Sequence, residues 1–276
     1  MSELSVQQLL STPTASVSDV ICRGACRHRS AEECTKATHL VFPYRGIYLH
    51  HVGRNDVVAE SNQVLFLNAE EGYRISHPIS GGDACLSISI DENRWRELAP
   101  KEHLRDGAVA RFHARRLRID ARTQALVATL RYGLSRGIAN PLEAETMTLA
   151  LVRRALGERT TPATRASAGR QKLVDRAKLV LSSDSARRWT LAEVGAEVGV
   201  SPVYLTQVFQ QAEGIPLYRY QLRLRLSRSL DLLAQYEDLA RLSADLGFSS
   251  HSHFSAAFRQ AYGRTPAQFQ RSLRLR

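Results

Sequence analysis

Leu191-Ala192-Glu193-Val194-Gly195-Ala196-Glu197-Val198-Gly199-Val200-Ser201 is echoed by Leu239-Ala240-Arg241-Leu242-Ser243-Ala244-Asp245-Leu246-Gly247-Phe248-Ser249. Each copy runs on into a second helical stretch: Tyr204-Leu205-Thr206-Gln207-Val208-Phe209 ending at Gly214, and His253-Phe254-Ser255-Ala256-Ala257-Phe258 ending at Gly263. The arrangement fits two helix-turn-helix units. The first helix of such a unit needs apolar residues toward its partner, supplied by Val194 and Val198 or by Leu242 and Leu246. It needs a small residue where the helices approach (Gly195, Ser243), a residue tolerant of positive φ in the turn (Gly199, Gly247) and an apolar plug (Val200, Phe248). Ser201, and either Ser249 or Ser250, suit the N-cap of the second helix, with Pro202 at its first position. One copy is compatible with many all-α proteins; two in register are a repeat with a purpose.

Between the copies, Pro216 to Gln235 reads as a long helix carrying Tyr220, Leu222, Leu224, Leu226, Leu230, Leu232 and Leu233. Its Arg219, Arg223, Arg225 and Arg228 are expected mostly to form a solvated face. As a rigid connector it would set two recognition helices about one turn of B-DNA apart, ~34 Å, so that they enter successive major grooves. Charge supports the same partner. Residues 161–276 hold 17 Lys or Arg against 9 Asp or Glu, whereas residues 1–160 hold 21 against 18. Concentrated positive charge attracts polyanions through counterion release, so double-stranded DNA is the expected partner.

From Val174 to Arg271 the residues resemble the AraC/XylS family of transcription regulators. The resemblance is carried by Leu191-Ala192 through Gly199, Ser201-Pro202, Phe209, Gly214-Ile215-Pro216, the Arg223 region, Gly247-Phe248-Ser249-Ser250, His253-Phe254, Phe258-Arg259 and Gly263-Arg264-Thr265-Pro266. It implies a seven-helix DNA-binding domain behind a sensing or dimerising domain, often a cupin barrel. It also implies an effector, RNA polymerase as a second partner of an activator, and a homodimer. By the resemblance, base-edge contacts fall on Val203, Thr206 and Gln207 in the first unit and on Ser252, Ser255 and Ala256 in the second, with Arg259 beside them. Family members often carry Arg at the places of Gln207 and Ala256. Gln pairs bidentately with adenine where Arg favours guanine, and Ala offers only a methyl contact to thymine. The first unit is therefore expected to carry most of the specificity and the second mostly phosphate contacts.

Upstream, residues 17–90 read as β-structure. His39-Leu40-Val41-Phe42, Gly46-Ile47-Tyr48-Leu49, Gln63-Val64-Leu65-Phe66-Leu67 and Cys85-Leu86-Ser87-Ile88-Ser89-Ile90 are short runs rich in β-branched and aromatic residues, separated by turn signals. They predict a small antiparallel barrel or sandwich, and with the resemblance a cupin-like barrel. Asn93–Leu98, Thr123–Leu134 and Leu142–Leu156 read as helices whose apolar faces need the barrel or a partner subunit. Gly157 to Arg170 is small and polar, with one Pro, and reads as a linker. The expected class is thus a two-domain α+β chain: a cupin-like domain with helices over 1–156, a linker over 157–170, and an all-α DNA-binding domain over 171–276.

Cys22, Cys26, Cys34 and Cys85 raise a metal or redox reading, with His28, His39 and His77 as companions. Their spacing fits no standard zinc pattern, and the ordinary role of an intracellular Cys is a small buried apolar residue. Some AraC-type regulators are similar around His77-Pro78, Gly81-Gly82-Asp83 and Cys85. Cys22, His77 and Cys85 are accordingly the candidate sensing residues, through a metal or thiol oxidation; a resident cofactor is otherwise not expected. An enzyme is not expected either. Adjacent His50 and His51 point to opposite faces of a strand, and no Ser-His-Asp, phosphate-loop or His-Glu-x-x-His signature occurs. Apolar residues make up 43% of the 276 and charged residues 24%, a globular balance. No apolar run approaches the ~20 residues of a membrane span, and Met1 to Leu10 has no signal-peptide pattern, so a cytoplasmic protein is expected.

Overall fold

A computed structural model describes residues 4–24, 27–157, 161–162 and 168–274. The chain divides into two compact units, one running to Pro162 and taking in the chain from Arg271, the other from Ala163 to Gln270. In the N-terminal unit, eight strands come first: β1 (Leu4–Ser11), β2 (Ala15–Cys22), β3 (His39–Gly46), β4 (Tyr48–Val52), β5 (Asn55–Ala59), β6 (Gln63–Leu67), β7 (Arg74–Ser76) and β8 (Asp83–Ile90). Then follow α1 (Glu92–Leu98), a 3-10 turn at Lys101–His103, β9 (Arg116–Arg118), α2 (Ala121–Ser135), α3 (Pro141–Leu156) and the short β10 (Thr161–Pro162). Of the segment read as a linker, residues 158–160 and 163–167 lie outside the described residues. Thr161–Pro162 pairs with β9, and a helix begins at Ala168.

The strands form a seven-stranded sheet of order β1-β2-β8-β3-β6-β9-β10 and a three-stranded sheet of order β5-β4-β7. Among the described residues they close no single hydrogen-bonded ring, so the expected barrel appears as two sheets. The break lies between β3 and β4: Gly46, at φ 72°, ends β3, and β4 pairs with β5 and β7 instead of with β3. β1 begins ahead of the predicted β region. Its residues up to Gln8 are exposed on both faces, which erases the alternation that marks a half-buried strand.

Alternation along β8 assigns the faces of the large sheet. Leu86, Ile88 and Ile90 join Val17, Leu40, Phe42, Val64 and Phe66 in a core with Trp95, Phe112, Val127, Leu130, Leu151, Val152 and Leu156. The apolar faces of α2 and α3 therefore pack on the sheet of their own chain. The opposite face carries Asp83, Cys85 and Ser87 toward the small sheet.

The C-terminal unit contains α4 (Ala168–Ser183), α5 (Leu191–Val198), α6 (Pro202–Glu213), α7 (Leu217–Leu232), α8 (Leu239–Asp245), α9 (His251–Tyr262) and α10 (Pro266–Arg274). This matches the seven helices implied by the resemblance. Thr190 caps α5 in a capping box: Thr190 Oγ1 accepts from the Glu193 amide at 3.2 Å and Glu193 accepts from the Thr190 amide at 2.7 Å. These bonds, with Arg187, pull the Glu193 carboxyl down to about 2. Around α4, α5 and α6, Val174, Leu181, Val194, Val198, Leu205, Phe209 and Tyr220 form one core. Beside it a buried ion pair joins Lys178 on α4 to Glu213 on α6 at 2.9 Å. α7 is shorter than the Pro216–Gln235 reading, with Pro216 as its N-cap residue and Leu233 as its C-cap.

Candidate nucleic-acid interface and ligand pocket

The two turns are built as the repeat predicts, with one difference. Gly199 and Gly247 both adopt the left-handed conformation, at φ 75° and 76°. A Cβ on Gly195 would lie 2.8 Å from the Val200 carbonyl oxygen, which is why that place is small. Ser201 caps α6 by accepting from the Tyr204 amide at 3.3 Å. In the second unit the cap is Ser250, accepting from the His253 amide at 3.1 Å, while Ser249 Oγ meets His253 Nδ1 at 3.0 Å. The second turn is thus one residue longer than the first, and α9 positions match α6 positions at a spacing of 49 rather than 48.

With that register, Val203, Thr206 and Gln207 on α6 correspond to Ser252, Ser255 and Ala256 on α9, and Gln210 corresponds to Arg259. Val203 is 70% exposed; Gln207, Ser252, Ala256 and Arg259 are also exposed, and Thr206 and Ser255 are half-buried. Leu205, Val208 and Phe209, like Phe254, Ala257 and Phe258, face the interior. Each helix therefore presents one polar or small-residue face outward at the same register. Thr206 Oγ1 donates to the Pro202 carbonyl at 2.9 Å, so its methyl and its lone pairs remain for a duplex. Tyr204, 42% exposed beside Val203, was missed in the sequence because an aromatic on an amphipathic helix reads as core.

Three of the four arginines on α7 form the expected solvated face, and Arg225 is the exception. Arg219, Arg223 and Arg228 are exposed, but Arg225 is 8% exposed. Its guanidinium donates to four carbonyls: Ser185 at 2.9 Å, Gly247 at 3.0 Å, Ala186 at 3.1 Å and Arg187 at 2.8 Å. Burial lowers its pKa, with Arg188 a second cause, yet a guanidinium stays charged. The side chain fastens the loop before α5 to the turn of the second unit.

In the N-terminal unit the two sheets enclose a cavity of about 380 Å³, within the usual range for small-ligand sites. Leu4, Val6, Val20, Val41, Leu67 and Ile75 supply an apolar wall. Cys22, His77, Asp83 and Cys85 line it too, so the structure brings the three candidate sensing residues to one cavity and adds Asp83. Cys22 sits opposite Asp83 in the β2–β8 register, and His77 Nε2 is 2.5 Å from Asp83 Oδ1. A Cβ on Gly82, at φ 66°, would lie 2.1 Å from the Cys22 carbonyl oxygen, so glycine is required for this close approach. Burial, reinforced by Asp83, Asp19 and Cys22, pushes the Cys85 thiol well up; Cys85 is a neutral thiol and Cys34 is exposed. Cys26 lies outside the described residues.

His50 and His51 do not converge. His51 reaches Asp56 at 2.6 Å and Ser76 at 2.8 Å. His50 lies against the Tyr73 ring, centroids 5.2 Å apart. Burial, with Arg115 next, lowers His50 to about 4, so it is neutral near neutrality. No helix among the described residues is long and apolar enough to cross a membrane.

A helix-turn-helix domain family matches residues 194–272. The probable transcriptional regulator LumQ of Photobacterium leiognathi is 27% identical over 246 residues, 82% of this chain and 89% of that protein. The HTH-type transcriptional regulator GadX of Escherichia coli O6:H1 is 32% identical over 92 residues, 33% of each chain. Among solved structures, a transcriptional regulator of Chromobacterium violaceum, described by its AraC-type DNA-binding domain, is 29% identical. It covers 39% of this chain and 96% of its own, at a TM-score of 0.37.

Proposed function

Because this chain belongs to the AraC/XylS family of transcription regulators, we propose that it reads duplex DNA through two helix-turn-helix units of unequal role, under control of an effector held in the N-terminal cavity. It is a DNA-binding transcription regulator, and double-stranded DNA is its partner. The observation that carries the division of roles is the matched outward face of α6 and α9, with Gln207 at the place where the second unit has Ala256. An amide at Gln207 can donate to and accept from one adenine edge. Ala256 can only touch a thymine methyl. Val203 and Thr206 add apolar contact in the first unit, while Ser252, Ser255 and Arg259 suit phosphate oxygens.

The facing sheets are read as an opened cupin-like barrel serving as sensor. The protein acts in the cytoplasm on RNA polymerase, as a homodimer and without catalysis of its own. The cavity's mix of an apolar wall and one polar end supports the sensor role. Because α2 and α3 use their buried faces on the sheet, a dimer would form through other surface.

Selection from randomised duplexes tests the division of roles. Gln207→Ala should flatten the preference at one position, costing about 1–3 kcal/mol of discrimination there. Ala256→Gly should leave the selected sequence nearly unchanged. Uniform weakening of all duplexes by Gln207→Ala would refute the assignment.

A further inference from the structure

The polar end of the N-terminal cavity holds three chemically different donors within reach of one point. A thiol sulfur from Cys22, a ring nitrogen from His77 and a carboxylate oxygen from Asp83 all lie within 4.8 Å of one another. Ligands ~2.0–2.3 Å from a tetrahedral zinc-like ion are roughly 3.3–3.8 Å apart, so only small side-chain movements separate the observed arrangement from a coordinating one. His77 and Asp83 are each 6% exposed, and Cys22 is half-buried.

We propose that Cys22, His77 and Asp83 form a binding site for a divalent transition-metal ion of borderline softness, the zinc class, with its fourth position open to the cavity. This deepens the reading of that cavity as the effector site and rests on it for its regulatory meaning, though not for the binding itself.

Three features of the site favour this occupant. Mixed sulfur, nitrogen and oxygen donors suit zinc and its neighbours, whereas calcium and magnesium take oxygen alone. One thiolate and one carboxylate neutralise a dication in a buried setting, where an unpaired charge would be costly. The site is also held by backbone that tolerates no other residue at its tightest point. A Cβ on Gly82 would strike the Cys22 carbonyl, and one on Gly46 would lie 2.2 Å from the Gly82 carbonyl oxygen. β2, β8 and the segment after β7 are thereby held together at the three donors.

Binding replaces the hydrogen bond between His77 Nε2 and Asp83 Oδ1. The imidazole takes the tautomer with hydrogen on Nδ1, and the Cys22 thiol releases one proton to solvent as its sulfur becomes a thiolate ligand. No electrons are exchanged. Cys85, two residues along the same face of β8 from Asp83, lines the same cavity but is not among the three grouped donors. A fourth ligand, water or a small thiol or carboxylate, would come from the cavity that Val20, Val41 and Ile75 also line.

The test uses the full chain, stripped with a chelator and titrated anaerobically with cobalt(II) alone. The expected result is one equivalent bound, with thiolate-to-cobalt charge transfer in the near ultraviolet. That band should be lost in Cys22→Ser and kept in Cys34→Ser. Competition with a chromophoric chelator should show zinc affinity reduced by at least roughly 10–100-fold in Asp83→Asn, since losing a ligand costs no less than losing an outer-shell partner of one. Absence of the band in the wild-type chain, or its persistence in Cys22→Ser, overturns the site. DNA affinity measured with and without one equivalent of zinc separates the two claims. A site that binds zinc without changing DNA affinity by at least several-fold leaves the coordination standing and removes the ion as effector.

Discussion

Arg225→Ala should destabilise the C-terminal unit by about 3–5 kcal/mol, because it removes a charged donor from four part-buried carbonyl bonds at once. For a unit of about 100 residues this corresponds to a fall of roughly 15–30 °C in its thermal transition. The four acceptors at Ser185, Ala186, Arg187 and Gly247 come from two segments, and the Arg187 carbonyl also accepts from Gln221 Nε2 at 2.5 Å and from the Trp189 amide at 3.1 Å. Arg225→Met would keep the bulk of the stem and still fail, since the Ser185, Ala186 and Gly247 carbonyls would lose their guanidinium donor in part-buried surroundings. Arg225→Lys should recover part of the loss, as an ammonium keeps the charge but not the planar fork. DNA binding should fall with stability in all three, and calorimetry of the full chain provides the measurement. A loss under 1 kcal/mol in Arg225→Ala would mean that water replaces the guanidinium freely.

The second large effect separates two glycines that the repeat makes equivalent. Gly199 and Gly247 occupy the same place in their turns and share the same backbone conformation. A Cβ on Gly199 would meet nothing within 4 Å, whereas one on Gly247 would lie 1.9 Å from the Ala186 carbonyl oxygen and 2.7 Å from its carbon. Gly199→Ala should therefore cost only the left-handed penalty, about 1–2 kcal/mol, and Gly199→Asn less. Gly247→Ala carries the same penalty plus displacement of backbone, a further ~1–3 kcal/mol. The loop it pushes is the one Arg225 holds, so Gly247→Ala combined with Arg225→Ala should cost less than the sum of the two. Equal losses for the two glycine variants would show that the Ala186 loop yields without resistance.

These two positions show where sequence reading stops. The repeat, the caps, the turn glycines and the seven helices were legible because each depends on residues within a few positions of one another. Which α7 arginine would be the exception was not legible, because the partners of Arg225 lie 22 to 40 positions away and an Arg between leucines on a helix looks like any solvated cation. The same limit applies to the N-terminal unit. Strands were visible from β-branched runs, but their division into two sheets follows from one left-handed glycine after β3. Cys22, His77 and Cys85 were picked out, but that Cys22 sits opposite Asp83 follows from the β2–β8 register, which no local pattern reveals. β1 gave no signal, since its exposed faces carry no alternation.

On the proposed reading, one chain places two recognition helices in successive major grooves. Hydroxyl-radical footprinting of the full-length protein on a selected duplex tests it most directly. Two protected blocks on one face of the duplex, centred about ten base pairs apart, with the Gln207-dependent adenine in only one of them, is the predicted result. A single block, or protection spread evenly along the DNA, would contradict paired reading and leave only charge-driven binding.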